Sequence, residues 1–277
     1  VKRGINKIAI FISMVCIFCV ISLDYNYKEV KSEEATPKVI AHRGYSIDAP
    51  ENTIKAIMLA AENKSDYAEF DVQQTKDGIP VLLHDKSLKR TAGIDKELSQ
   101  VNYSEIKDID IGNVYSKRYK GETIPTLEQV MKITKGKIKL DIELKMYKNN
   151  YDLPNKVVKL IEENDFLDNS IVTSFDYNAL VKVKTLNPKI RTSLIVSSRF
   201  NYKPSKWIDI YSLKDSIITE SLIYDIHRDK KQIHVWTLNS KYDMAKFIRL
   251  GVDGIITDNP QAYTDAIDEG VEEYPIQ

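Results

Sequence analysis

Cysteine is nearly absent: the 277-residue chain has two, Cys16 and Cys19, both inside one apolar run near its start. Everything after that run lacks thiols, which excludes a disulfide-stapled fold and a cysteine-ligated zinc centre. Net charge is absent too, with 40 Lys plus Arg against 40 Asp plus Glu. No global basic field exists to hold nucleic acid by its phosphates, so specificity has to reside in a local site. Histidine is scarce, four in all, and no low-complexity tract or short internal repeat occurs. With 43% hydrophobic and 29% charged residues, the composition is that of a globular chain able to bury a large core.

Long apolar runs are limited to Ile8–Leu23, which follows Lys2, Arg3 and Lys7. As a helix it would span roughly 24 Å at 1.5 Å per residue, short of the roughly 30 Å hydrocarbon core. Basic residues followed by an apolar stretch describe either a signal peptide (1–23) or a short membrane anchor. The charges precede the run, so the bulk of the chain is expected on the outer face, secreted or tethered. A polar linker, 24–37, leads to the folded part, 38–277.

From Lys38 onward short β-branched runs alternate with helical patterns, the rhythm of βα units. Eight runs are predicted as strands, starting at Val39, Ala68, Ile138, Ile171, Arg191, Ser216, Ile233 and Gly254. Helices are predicted over Glu51–Glu62, Leu127–Thr134, Leu153–Glu163, Tyr177–Thr185, Leu222–Lys230 and Lys241–Leu250. Eight such units in about 240 residues predict an α/β (β/α)8 TIM barrel, with a doubly wound open sheet as the other architecture of this rhythm. Residues 86–122 break the alternation and read as an insertion over the barrel mouth.

The second run carries charge where a strand should be buried. Ala68, Phe70 and Val72 alternate with Glu69, Asp71 and Gln73, which predicts apolar residues toward the helices and acids toward the barrel axis. Asp77-Gly78 predicts a two-residue hairpin turn. That register pairs Thr75 with Pro80 and brings Asp71 opposite His84, although Pro80 is a position that can shift it by one. On the third run Asp141, Glu143 and Lys145 share one face. Buried carboxylates need a cation, and Glu69, Asp71 and Glu143 form a hard oxygen set suited to Ca²⁺ or Mg²⁺. A structural Glu143–Lys145 ion pair is the plainer reading of the third run alone.

HRGYSIDAPENT (42–53), EFDVQQTKDGIPVLLHD (69–85), DIELK (141–145), VWTLN (235–239) and GVDGIITDNP (251–260) together resemble the glycerophosphodiester phosphodiesterase family, in order and spacing. The resemblance implies that Glu69, Asp71 and Glu143 bind a divalent metal, that His42 and His84 are the acid and base pair, and that Arg43 and Lys145 hold the phosphate. It also implies that Trp236 walls the glycerol moiety, against a plain reading as a buried barrel aromatic, and that Glu51 and Asn52 orient neighbouring groups. His227 and His234 match no motif. The expected reaction releases glycerol 3-phosphate and an alcohol from small glycerophosphodiesters, with polyglycerol-phosphate wall polymer as a further substrate of an exterior enzyme. A phosphatidylinositol phospholipase C-like barrel and a non-catalytic phosphoester-binding barrel are the alternatives. Glu143 and the insertion weigh against the first, and the two histidines against the second.

Overall fold

The computed structural model describes residues 36–147, 150–199 and 201–271. The predicted signal or anchor segment and residues 24–35 of the predicted linker lie outside them.

Eight parallel strands form the sheet: β1 (Lys38–Ala41), β2 (Tyr67–Gln74), β4 (Lys139–Leu144), β5 (Ser170–Ser174), β6 (Arg191–Val196), β7 (Ile210–Lys214), β8 (Gln232–Trp236) and β9 (Gly254–Thr257), with β3 (Pro80–Leu82) antiparallel on β2. Their order is β1-β9-β8-β7-β6-β5-β4-β2-β3, and pairing of β1 with β2 closes the ring. The (β/α)8 barrel therefore stands, and the open sheet does not. Helices Ile54–Glu62, Leu127–Thr134, Leu153–Glu163, Tyr177–Leu186, Glu220–Arg228, Lys241–Arg249 and Pro260–Asp268 pack outside. Ala68, Phe70, Val72, Ile142 and Leu144 join Ile57, Ala60, Leu127, Val130 and Met131 in the layer between strands and helices. Strand alternation then leaves Glu69, Asp71 and Glu143 for the axis.

Local chemistry fixes the helix starts. Thr53 Oγ1 accepts from Ala56 N at 3.2 Å, Thr126 Oγ1 from Gln129 N at 3.1 Å, and Asn259 caps the helix that opens on Pro260. Each satisfies an amide that the helix itself cannot.

Two expectations need correction. The run at Ser216 is not a strand: Asp215–Ile217 is a 3-10 turn and the strand is Ile210–Lys214. Ile210, Tyr211 and Leu213 are buried along it, whereas Ile217 and Ile218 pack only partly against the core. Thr219 then caps the following helix through Leu222 N. The hairpin register is also shifted by one, pairing Val72 with Leu82, Gln73 with Val81 and Gln74 with Pro80. Gly78 is left-handed (φ 79°) while Asp77 is not, and Gly78 N donates to Thr75 O. The loop is thus the three-residue type ending in a left-handed glycine, which adds one residue to a two-residue turn.

The segment between Lys86 and Pro125 folds as short turns of helix around Leu88, Leu98, Val101, Ile106, Ile111 and Ile124, sharing this small core with Val81 and Leu83 of the hairpin arm.

Candidate active site

A cavity of about 240 Å³ opens at the C-terminal ends of the strands, lined among others by His42, Arg43, Glu69, His84, Glu143, Lys145 and Trp236. In a parallel barrel this is the end where side chains from several strands converge. Asp71 meets them from β2, contacting Arg43 and Lys145.

The acids form its floor. One oxygen from each of Glu69, Asp71 and Glu143 lies within 4.8 Å of the others, and none of the three residues exceeds 6% exposure. Glu69 Oε2 accepts from Arg43 N at 2.7 Å, while its Oε1 is buried with no hydrogen-bond partner. Burial, then the charges of Asp71, Glu143 and Asp141, push the Glu69 carboxyl well above the usual carboxylate range. Glu143 rises to about 7, through burial first and the neighbouring Asp71 next, against the pull of Lys145. Asp71 goes the other way: burial opposes ionisation, but Lys145, Arg43, His84 and the Asn52 amide hold it at about 2. A fourth buried acid, Asp141, accepts from Thr173 Oγ1 and is raised by burial to about 7.

Two fixed cations face these acids. Lys145 Nζ lies 2.9 Å from Asp71 Oδ1 and 2.7 Å from Glu143 Oε1. The Glu143–Lys145 pair read from the sequence is present, and Asp71 shares it. Arg43 Nε lies 3.5 Å from Asp71 Oδ2, and its Nη1 donates to Glu51 at 3.1 Å. Arg43 and Asn52 are both left-handed (φ 58°), a costly conformation for non-glycine residues that the surroundings must hold. Arg43 is held by its amide on Glu69. Asn52 is held by paired bonds with Asp71, Nδ2 to Oδ2 at 2.9 Å and Oδ1 from N at 3.0 Å. Gly44, between them and also left-handed, has no room for a side chain, because a Cβ would sit 2.6 Å from the Ala56 carbonyl carbon.

Each histidine leans on an aspartate. His42 Nδ1 is 2.6 Å from Asp258 Oδ1, and Asp258 also accepts from Ser46 and Asn239. Burial opposes its charge, but these donors hold Asp258 at about 2. His84 Nδ1 is 2.8 Å from Asp85 Oδ1. Arg90 clamps Asp85 with Nε and Nη2, and together with partial burial and His84 the balance puts that carboxyl at about 2. With both carboxylates ionised, each Nδ1 carries the proton and each Nε2 is free to accept or donate one. Arg90 also forks onto Glu51 at 2.7 and 2.9 Å, linking the segment after the hairpin to the Arg43 support. Trp236 donates its indole N–H to Ser212 O at 3.0 Å and meets Phe175 edge-on at 6.1 Å, forming an apolar wall.

All residues singled out in the sequence therefore converge, except His227, which bonds Asp253 away from the cavity at 2.8 Å, and His234, which is buried. The aspartate partners were not singled out. The signal for Asp258 lay in ring closure: β1 and β9 pair with Ala41 opposite Thr257, so the next residues, His42 and Asp258, are neighbours.

Fold and site together define a barrel enzyme in which two histidines flank a carboxylate cluster able to hold a divalent cation. The sequence profile of the glycerophosphoryl diester phosphodiesterase family matches residues 42–262, and the chain belongs to that family. A glycerophosphodiester phosphodiesterase of Caldanaerobacter subterraneus is 34% identical over 239 residues, spanning 84% of this chain and 98% of that one. One of Bacillus altitudinis is 29% identical over 233 residues, spanning 80% and 95%. Among solved structures, an Oleispira antarctica phosphodiesterase in complex with the product sn-glycerol-3-phosphate superposes with a TM-score of 0.77 at 30% identity, covering 84% of this chain and 97% of that one. The chain is an enzyme of this class, a phosphodiesterase acting on small glycerophosphodiesters.

Proposed function

We propose that the chain hydrolyses glycerophosphodiesters to glycerol 3-phosphate and an alcohol, with Ca²⁺ or Mg²⁺ held by Glu69, Asp71 and Glu143 and with His42 and His84 exchanging the protons. The observation that carries this reading is the partnerless buried Glu69 Oε1 beside two further carboxylates. An all-oxygen donor set of that charge fits a hard divalent cation. Three carboxylates against Arg43 and Lys145 leave one formal negative charge, and a divalent cation turns that into one positive. A phosphodiester monoanion then finds a complementary site. The same ion supplies Lewis-acid polarisation of phosphoryl oxygens.

The remaining chemistry belongs to the side chains. Arg43 and Lys145 hold the non-bridging oxygens and stabilise the charge that builds on them. One imidazole takes the proton of the attacking hydroxyl through Nε2. As the phosphorus–oxygen bond to the alcohol breaks, the other imidazole gives its Nε2 proton to the leaving oxygen. Asp258 and Asp85 keep both rings in the tautomer that permits this. If the glycerol 2-hydroxyl attacks, the product is a cyclic phosphate, which water opens with the proton roles reversed; direct attack by water uses the same groups once. Trp236 and Phe175 offer the apolar side of glycerol a surface. The resemblance to an enzyme crystallised with sn-glycerol-3-phosphate supports that product.

The test is release of glycerol 3-phosphate from glycerophosphocholine, coupled to its dehydrogenase, for the wild type and for His42→Ala and His84→Ala. Both variants are expected to lose turnover while still binding metal in a calorimetric titration. Retained turnover in either would remove that histidine from the reaction.

A further inference from the structure

The observed register raises a question about His84. β3 ends at Leu82; Val81 and Leu83, opposite Gln73 and Asp71, face the small core of the following segment, while Leu82 between them faces the layer of strands and helices, so continued pleating would turn His84 to Leu82's side. Strand alternation therefore does not deliver His84 to the cavity it lines. Something else must set its height.

That element is the Gln73 side chain. Gln73 is 2% exposed, and its Nε2 lies 2.6 Å from Leu83 O, 3.3 Å from His84 O and 2.8 Å from Asp85 O. Three successive carbonyls thus converge on one amide nitrogen, wrapping the backbone around it. Glu69, Asp71 and Gln73 occupy alternate positions of β2 and share its inward face. One strand face consequently carries two carboxylates of the metal cluster and the clamp on the segment bearing His84 and its partner Asp85. Tyr147 OH adds a second hold on His84 O at 3.3 Å.

We propose that Gln73 is a positioning residue for the reaction: its amide fixes His84 relative to the carboxylate cluster. It touches neither substrate nor reacting atoms. The inference rests on the reading of His84 as a proton-transfer group, and the experiment separates the two.

Gln73→Met keeps the side-chain length and removes the donor, in the full chain. The expected result is a kcat about 10- to 100-fold lower with KM within about twofold, the signature of a misplaced catalytic group rather than of lost binding. With only four histidines in the chain, imidazole NMR signals report position directly. The His84 signal is expected to move, while those of His42, His227 and His234 stay. Metal affinity by calorimetry is expected to hold. If Gln73→Met does not fold, Gln73→Asn, whose amide is withdrawn by one methylene, is read in the same way. Wild-type kcat, an unmoved His84 signal, or a loss that follows only the folded fraction would each overturn the proposal. His84→Asn is run alongside. If it keeps turnover, the His84 reading fails; if it is inactive while Gln73→Met is not, only the positioning role of Gln73 fails.

Discussion

Asp258→Asn isolates what the aspartate does for His42. Oδ1 accepts from His42 and Ser46 and Oδ2 from Asn239, so three donors meet one carboxylate. An amide has one accepting oxygen. Turning it toward His42 sets its NH₂ against the Asn239 amide, which cannot flip freely because Asn239 Oδ1 accepts from Asp258 N and Thr257 Oγ1. The larger loss is charge. An imidazolium and a carboxylate with centres about 4 Å apart attract by about 4 kcal/mol at an effective dielectric of about 20. The side chains are 22% and 32% exposed, and the amide dipole recovers part, so we assign roughly half to two-thirds, about 2–3 kcal/mol. That amounts to a kcat about 30- to 150-fold lower. KM should stay within about twofold, since Asp258 acts on His42 and not on substrate. The assay is steady-state release of glycerol 3-phosphate from glycerophosphocholine at saturating metal. In a His42→Ala background the substitution should add almost nothing, because both changes remove one unit. Wild-type kcat, or full additivity with His42→Ala, would refute the reasoning.

Other outcomes follow from the same geometry. Glu143 and Asp141 have folded-state values near 7, above those of the unfolded chain, so their contribution is present below about pH 4 and lost as pH rises through 7. Metal-stripped protein should therefore lose thermal stability between pH 5 and 8, and added Mg²⁺ should raise the melting temperature more at pH 8 than at pH 5; a flat profile would contradict it. Glu69→Gln should weaken metal binding by at least about tenfold while leaving metal-stripped protein as stable or more so, since it removes a buried ionisable group; calorimetry and thermal melts check both. Arg90→Ala should cost less than about 1 kcal/mol in stability, because its ion pairs are half exposed, yet lower kcat about three- to tenfold by freeing Asp85 and Glu51 together. Gly44→Ala should destabilise by about 3 kcal/mol or more in urea melts, as its Cβ meets Ala56 backbone.

Period-two alternation is local, so the inward acids of β2 and β4 were legible from Ala68–Gln73 and Asp141–Lys145 alone. The barrel was legible because eight β-branched runs recur at βα spacing, even though one strand starts six residues before the run assigned to it at Ser216. That error arose at Ser216, where Ile217-Ile218 mimics a strand but Thr219 starts a helix. The hairpin register turned on a single left-handed residue, Gly78, which a two-residue turn and a three-residue loop both accommodate. The supports of the histidines are non-local. Asp258 reaches His42 only when β9 closes on β1 across 216 residues, and Gln73 reaches the carbonyls of Leu83, His84 and Asp85 where the chain has left the hairpin ladder.

The most direct measurement is single-turnover release of glycerol 3-phosphate from glycerophosphocholine by chelator-stripped protein as Mg²⁺ or Ca²⁺ is titrated back. The account predicts no release without the ion, a saturable one-site rise with it, and a dependence displaced to higher concentration in Glu69→Gln. Full turnover in the presence of chelator, or a titration identical for wild type and Glu69→Gln, would contradict it.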